Sequence, residues 1–422
     1  VSEPAASPFD TDVLIAGGGL AGATLALALS RRLPHRRVTV VEAYPLATDA
    51  TPDAYQPSYD ARSTALAWGS RLIYDDLDLW PQLAGRAMPI RHIHVSDRGR
   101  FGATRLAAEE HGQDALGYVV DNRLMGLALM QALAERPQVH WRAPARVMDV
   151  TPRPSGVSAT LDTNGNSATM TAQCVVVADG GRSGLRERLG FRADTRDYGQ
   201  HALIANVSTR QPHAGTAYER FTDAGPMALL PRGRPGAAAC DSALVWTLND
   251  HDLEQVLAGS DADRLALLQA RFGWRQGRFT RIGECSHYPL KLTTVPEAVR
   301  PGMVLVGNAA HTLHPVAGQG FNLALRGLMG LVEQFEKADT AGTPLGHLGV
   351  LQAYQDEHRR DWQETVRFSD SLIQVFGARS RTLAAARDAG LVGLDLVPGA
   401  RRWFARRAMG LGRFTRGIGD ER

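Results

Sequence analysis

The segment 12–16 (DVLIA) is short and apolar after its first residue; a glycine-rich stretch at 17–22 and an alanine- and leucine-rich stretch at 23–32 follow it. That order predicts a buried strand, a tight turn and a helix. Residues 37–43 (RVTVVEA) are dense in β-branched side chains and predict a second strand. The chain therefore opens with a βαβ unit of about 30 residues. Residues 59–80 predict a loop followed by a helix, and 126–135 a helix with apolar positions three and four apart. Residues 139–152, 156–161 and 167–172 read as a β-meander turning at Asn164-Gly165, and 174–178 (CVVVA) as a buried strand returning to the first sheet.

From about 198 to 288 the texture changes. Short strands at 202–208, 216–221, 227–230 and 243–248 are separated by turn-rich stretches such as 231–236 (PRGRPG). Residues 303–306 (MVLV) predict another buried strand, and the chain is helical from Phe321. Residues 352–376 carry a helical period through Tyr354, His358, Trp362, Val366, Leu372 and Phe376. The predicted class is α/β: a discontinuous, Rossmann-like domain built from 1–197 and 289–350, an inserted and mostly antiparallel β-sheet domain at 198–288, and a C-terminal helical region at 351–422.

Composition adds exclusions. At 422 residues with 44% hydrophobic and 22% charged positions, the chain is an ordinary globular protein, neither disordered nor collagen-like. Lys plus Arg (47) nearly balances Asp plus Glu (44), so no nucleic-acid partner is expected. Cys174, Cys240 and Cys285 form no C-x-x-C pair, which argues against a disulfide framework or a thiolate zinc site and for a reducing compartment. Residues 1–10 lack a basic region followed by an apolar one, so the expected location is cytoplasmic.

The candidate chemistry starts at Gly17-Gly18-Gly19-Leu20-Ala21-Gly22, a G-x-G-x-x-G turn between strand and helix. Glu42 closes the next strand 20 residues after Gly22. In this arrangement Gly17 permits the turn, Gly19 lets backbone approach a pyrophosphate, Gly22 lets helix pack on strand, and Glu42 accepts from ribose hydroxyls. The motif does not separate FAD from NAD. Two later stretches do: Asp179-Gly180 after CVVVA, and the block 307–326 (GNAAHTLHPVAGQGFNLALR) after MVLV.

With those residues the chain resembles the flavin-dependent aromatic hydroxylases of the para-hydroxybenzoate hydroxylase type, and within them the ubiquinone-biosynthesis hydroxylases (the UbiH, UbiF and VisC group). The resemblance also covers 60–66 (DARSTAL) and 288–290 (YPL). It implies that 1–197 with 289–350 binds FAD and that 198–288 holds substrate. It further implies that NAD(P)H reduces the flavin and that dioxygen reacts there to hydroxylate a prenylated phenol through a flavin hydroperoxide. Most of the wider family has Gly-Asp where this chain has Gly307-Asn308; Asn keeps an acceptor oxygen for the ribityl chain, and the quinone group commonly shows it. In the turn from Pro315 to Asn322, Gly318 and Gly320 flank Gln319 before a helix, so backbone N–H groups are set to face the pyrimidine edge of a flavin. Asn322 is expected at the ring edge as well. By resemblance alone, Arg62 lies near the flavin, Arg123 near its ribityl or phosphate region, and Val147 beside the adenine.

His311 and His314 form H-x-x-H, but no third ligand lies nearby and Pro315 turns the chain, so hydrogen bonding within the flavin loop is expected and no metal. No catalytic residue is assigned. A hydroxylase of a soluble aromatic substrate and a non-catalytic scaffold of a quinone-biosynthesis assembly remain alternatives. The tail has seven arginines between 401 and 422 and, drawn as a helix, an apolar stripe of Trp403, Phe404, Leu411, Phe414 and Ile418 opposite Arg402, Arg406, Arg413 and Arg416. Two uses of that stripe stay open: peripheral contact with the inner face of a membrane, or packing on the protein's own body or a second subunit.

Overall fold

A computed structural model describes residues 8–46, 62–100, 102–181, 183–313, 318–377, 390, 393 and 397–411. In chain order it begins with β1 (Thr11–Ala16), α1 (Leu20–Arg32), β2 (Val38–Val41), β3 (Ser63–Ala67), α2 (Trp68–Asp76), α3 (Trp80–Ala84), β4 (Met88–Ile90), β5 (His92–Asp97), β6 (Ala103–Ala107), β7 (Gly117–Asp121) and α4 (Asn122–Ala134). There follow β8 (Val139–Arg142), β9 (Arg146–Pro152), β10 (Val157–Thr163), β11 (Asn166–Val177), α5 (Leu185–Arg188), β12 (Asp194–Thr209), β13 (Thr216–Thr222), β14 (Gly225–Arg232) and β15 (Asp241–Leu248). The remainder is α6 (Asp250–Ala258), α7 (Asp261–Phe272), β16 (Phe279–Ile282), β17 (Ser286–Thr294), β18 (Val299–Arg300), β19 (Met303–Leu305), β20 (His311–Thr312), α8 (Gln319–Thr340), α9 (Leu348–Gly377) and α10 (Pro398–Ala408).

The first sheet runs β18-β19-β11-β1-β2-β8, parallel from β19 to β8, with β9 and β10 branching from β11. Its strands are apolar on both faces because both are covered. On one side Leu25 and Leu29 of α1 meet Leu325 and Phe335 of α8; on the other, Val147, Leu161 and Val175 pack with Leu185. The expected meander is partly corrected here. Residues 139–142 leave it to extend the parallel sheet, and the stretches read separately as 167–172 and 174–178 are one strand, β11. Ala172 is where β11 stops pairing with β10 alone and begins to pair with β1, so one chain segment serves both the hairpin and the parallel core.

The second sheet is mostly antiparallel, ordered β20-β17-β12-β15-β14-β13-β5-β6. Its β12 and β17 run past both expected edges of the insertion, residues 198 and 288, and it takes in β5 and β6 from residues the sequence assigned to the first domain. The β5 to β13 pairing is parallel and spans distant parts of the chain, which no local pattern reveals. Two helices also interrupt the insertion. Asn249 caps α6 and Ser260 caps α7 in a reciprocal box with Asp263, and both helices cover the outer sheet face through Leu253, Val256, Leu268 and Phe272. A small sheet, β3-β7-β4, bridges the second sheet, through Met88, Ile90 and Val119 against Ala217, and the start of α8, through Ala65 against Gly318. Among the described residues no helix is long and apolar enough to cross a membrane.

Candidate functional site

The glycine turn sits where β1 leaves the sheet. Gly17 has φ +110°, and a Cβ there would lie 2.7 Å from the Ala178 carbonyl oxygen, so only glycine fits between β1 and the end of β11. A Cβ on Gly22 would be 1.9 Å from the Gly17 carbonyl oxygen, which is the close packing of helix on turn that the motif requires. Gly19 caps α1 from extended backbone, leaving the N–H groups of the first helical turn directed at the space before the helix. Glu42 is buried at the end of β2. Its Oε2 accepts from the Gly18 N–H at 2.8 Å and its Oε1 from the Tyr44 N–H at 3.1 Å, so the carboxylate stands against the glycine turn.

The other glycine positions gather at the same sheet edge. Asp179 follows β11, and its Oδ1 accepts from the Gly181 N–H at 2.8 Å while Gly180 and Gly181 take φ of +72° and +71°. Gly307 (φ +55°) follows β19, and Asn308 beside it is exposed. A Cβ on Gly181 would lie 3.1 Å from the Asn308 carbonyl oxygen, so the two turns touch. Gly318, at φ +60°, starts α8 against Ala65 of β3. Among the described residues a Cβ on Gly320 would meet nothing within 4 Å, so the backbone there is open on the side a flat ring would need. Gln319 between them is buried.

Not every expected residue faces that space. Asn322 is 2% exposed and its amide is fully engaged: Oδ1 accepts from the Ala67 N–H (2.8 Å) and the Ser70 hydroxyl (2.7 Å), and Nδ2 donates to the Ala65 and Gly318 carbonyls (2.9 and 2.8 Å). With two donors and two acceptor bonds in use it has no capacity left for a ring edge, so the expectation is corrected: Asn322 is a clamp holding the start of α8 to β3 and α2. The Val147 side chain is buried in the apolar layer with Val41 and Leu161, which leaves only its backbone for an adenine. Arg62 is half-buried just before β3, and its carbonyl accepts from the Asn122 N–H; Arg123 is half-buried in the first turn of α4. Pro315 and His314 lie outside the described residues.

His311, on β20, turns inward. Its ring centroid is 5.1 Å from that of His358 on α9, which stacks on Tyr354 and presses on Gly327 of α8. Burial, and then the neighbouring His358, push His311 down to about 3; burial and Arg326 push His358 down to about 4. Both imidazoles are neutral at pH 7. Beside them Arg326 donates to Asp361 through Nε at 2.7 Å and Nη2 at 3.1 Å, pinning α8 to α9. Sequence reasoning missed this set. The α9 period marked His358 as a buried position but carried no sign of its partner on β20.

What unites the site is position. Glu42, Gly17, Asp179 and Gly307 follow the carboxyl ends of four adjacent parallel strands, where doubly wound sheets bind nucleotides. A family model described as FAD binding domain matches residues 10–369. The chain belongs to that FAD-binding family. Ubiquinone hydroxylase UbiL of Rhodospirillum rubrum is 36% identical over 94% of this chain and 89% of that protein. The 3-demethoxyubiquinol 3-hydroxylase of Escherichia coli is 29% identical over 95% and 99%. Among solved structures, p-nitrophenol 4-monooxygenase PnpA from Pseudomonas putida superposes with a TM-score of 0.75 over 96% of this chain and 98% of that one at 17% identity, so it speaks to the fold. The protein is an FAD-dependent monooxygenase.

Proposed function

We propose that the protein hydroxylates the aromatic ring of a polyprenylated phenol on the route to ubiquinone, with FAD as resident cofactor and NAD(P)H and dioxygen as co-substrates. The observation that carries the reading is the gathering of the 17–22, 179–181 and 307–308 turns at one sheet edge, with the open backbone at Gly320 beyond them. Its relatives include proteins named as ubiquinone and demethoxyubiquinol hydroxylases.

In this reading Glu42 accepts from the adenosine ribose, and the N–H groups of residues 17–22 hold the pyrophosphate at the positive end of α1. Val147 meets the adenine through backbone. Asp179, Gly180, Gly307 and Asn308 border the ribityl chain, with Arg62 and Arg123 on the flavin and phosphate sides. The N–H groups of 318–320 stabilise negative charge on the pyrimidine edge; a preorganised donor of this kind is worth about 3 kcal/mol. When bound and reduced, FAD supplies dioxygen activation, and the chain's own task is to orient the phenol and keep water out.

The test is chemical. Denatured protein should release FAD, NAD(P)H oxidation should rise with a prenylated phenol, and the product should carry one atom from labelled dioxygen. FAD bound without labelled product would favour the scaffold reading instead. A peripheral membrane contact at α10 is the accompanying proposal: Trp403 is 55% exposed between the exposed Arg402 and Arg406, the pairing of indole and cations that suits an anionic lipid surface.

A further inference from the structure

The two faces of the second sheet differ. Its outer face, with Leu203, Met227, Leu229, Leu244 and Trp246, is sealed under α6 and α7. On the inner face the strand register sets one row across five strands: Val95, Glu219, Ala228, Val245 and Ile204. Only Val95 in that row is buried; the other four are partly exposed. Glu219 is its sole ionisable member.

The position of that row relative to the flavin loop follows from contacts. The preceding inner-face residue on β13, Ala217, packs with Met88, Val119 and Ala65 of the small bridging sheet. Ala65 is the residue against Gly318, and its carbonyl is held by Asn322. Glu219 is one same-face step farther along β13, about 7 Å from Ala217. The following inner-face residue, Phe221, packs with Val95 and Phe404 of α10. Glu219 thus stands between the bridging sheet that carries the Gly318 contact and the C-terminal helix. No hydrogen bond or ion pair reaches its carboxyl among the described residues, and burial pushes it up to about 8, so it is held as a neutral acid. A partly exposed acid without a partner in an apolar row adds little to the packing, and its carboxyl stands open to a ligand.

We propose that Glu219 binds the ring hydroxyl of the phenol substrate and so selects which ring carbon faces the Gly318–Gly320 backbone. The inference rests on the phenol reading above and deepens it. The phenol O–H donates to the C=O oxygen of the Glu219 side-chain carboxyl, while the apolar row of Ala228, Val245 and Ile204 receives the ring and the start of its tail. Because the acid is neutral, an amide supplies the same acceptor.

The experiment compares wild type, Glu219→Gln, Glu219→Leu and Glu219→Ala, each FAD-loaded, with a short-chain prenylated phenol. Glu219→Gln should keep KM, and the ratio of product formed to NAD(P)H oxidised, within about three-fold of wild type. Glu219→Leu should raise KM by about ten-fold or more, the scale of one lost hydrogen bond, and divert NAD(P)H oxidation into hydrogen peroxide or a second ring isomer. It should also leave the melting temperature at or above that of wild type, since the replaced acid makes no hydrogen bond or ion pair among the described residues, whereas a structural role for Glu219 would lower it. Should Glu219→Leu misfold, Glu219→Ala carries the same kinetic comparison. Unchanged KM, coupling and product position in the leucine or alanine variant overturn the inference while leaving the phenol reading intact. A wild-type enzyme that oxidises no prenylated phenol overturns both.

Discussion

At the scale of single residues, the glycines of the site divide into two kinds that substitution separates. Gly17 and Gly22 are enclosed by protein atoms, so a side chain there breaks the turn itself. Gly320 meets no other described residue within 4 Å, so a side chain there is expected to be accommodated by the chain but not beside a bound ring. Gly320→Val is therefore expected to leave the unfolding free energy of the flavin-free protein within about 1 kcal/mol of wild type, the scale of a helix-propensity change, while FAD retention and hydroxylation fall sharply. Equal flavin content in variant and wild type would place the ring elsewhere. Asn308→Asp, at an exposed position, should retain flavin and activity. Glu42 differs from both because its carboxylate already organises the Gly18 and Tyr44 N–H groups. Glu42→Ala should weaken FAD binding by about 1.5 to 3 kcal/mol, the range for one hydrogen bond to a charged group, when measured by flavin fluorescence on titration.

At the scale of elements, two buried polar contacts fix how α8 is seated. Asn322 joins its first turn to β3 and α2, and Asn322→Leu would leave the Ala67 N–H and the Ala65 carbonyl without their partner. A loss of at least about 2 kcal/mol in unfolding free energy is expected, with FAD binding weakened because Gly318 is released; denaturant titration with and without FAD tests it. Farther along α8, Gly327 receives the His358 ring, which faces His311. Both histidines have folded pKa values below their unfolded ones. As pH falls through about 6.5 toward 4, the unfolded chain binds protons that the folded chain does not, so stability must decline in that window. His358→Phe should flatten that decline, and an unaltered pH dependence of melting would show that other groups cause it. These elements also mark what a sequence can and cannot reveal. The βαβ spacing, the glycines and the 307–326 block were legible because their constraints are local: a turn needs its glycine within a few residues. Asn322 was misassigned because its partners lie some 250 residues away, at Ala67 and Ser70, and β5 with β6 joined the distant sheet for the same reason.

At the scale of the whole molecule, the C-terminal helix ties the second sheet to α2 and α9. Phe404, Ala405, Met409 and Leu411 pack with Leu106, Ala108 and Leu116, the Gly69 N–H donates to the Met409 carbonyl, and Arg407 pairs with Glu364 of α9. Two of the five residues of the stripe that the sequence left open, Phe404 and Leu411, thus pack on the protein's own body, while Trp403 is exposed and Phe414 and Ile418 lie outside the described residues. Cutting the chain after Val397 is consequently expected to lower the melting temperature and cause FAD loss, since the buried Met409, worth about 1.5 to 3 kcal/mol, leaves the core together with Ala405 and the half-buried Phe404 and Leu411. A truncation therefore reports on folding before it reports on lipid. The lipid question belongs to the exposed side of α10 alone, where Arg402, Trp403 and Arg406 point outward. A variant combining Trp403→Ser with Arg402→Gln and Arg406→Gln removes two cations, each contributing about 1 kcal/mol near an anionic surface, and an indole suited to the headgroup layer. The variant should keep its FAD and melting temperature yet co-sediment about ten-fold less with vesicles containing anionic lipid, with little change on neutral ones. Equal binding of variant and wild type to anionic vesicles would remove α10 from any membrane contact and leave it as a structural strap only.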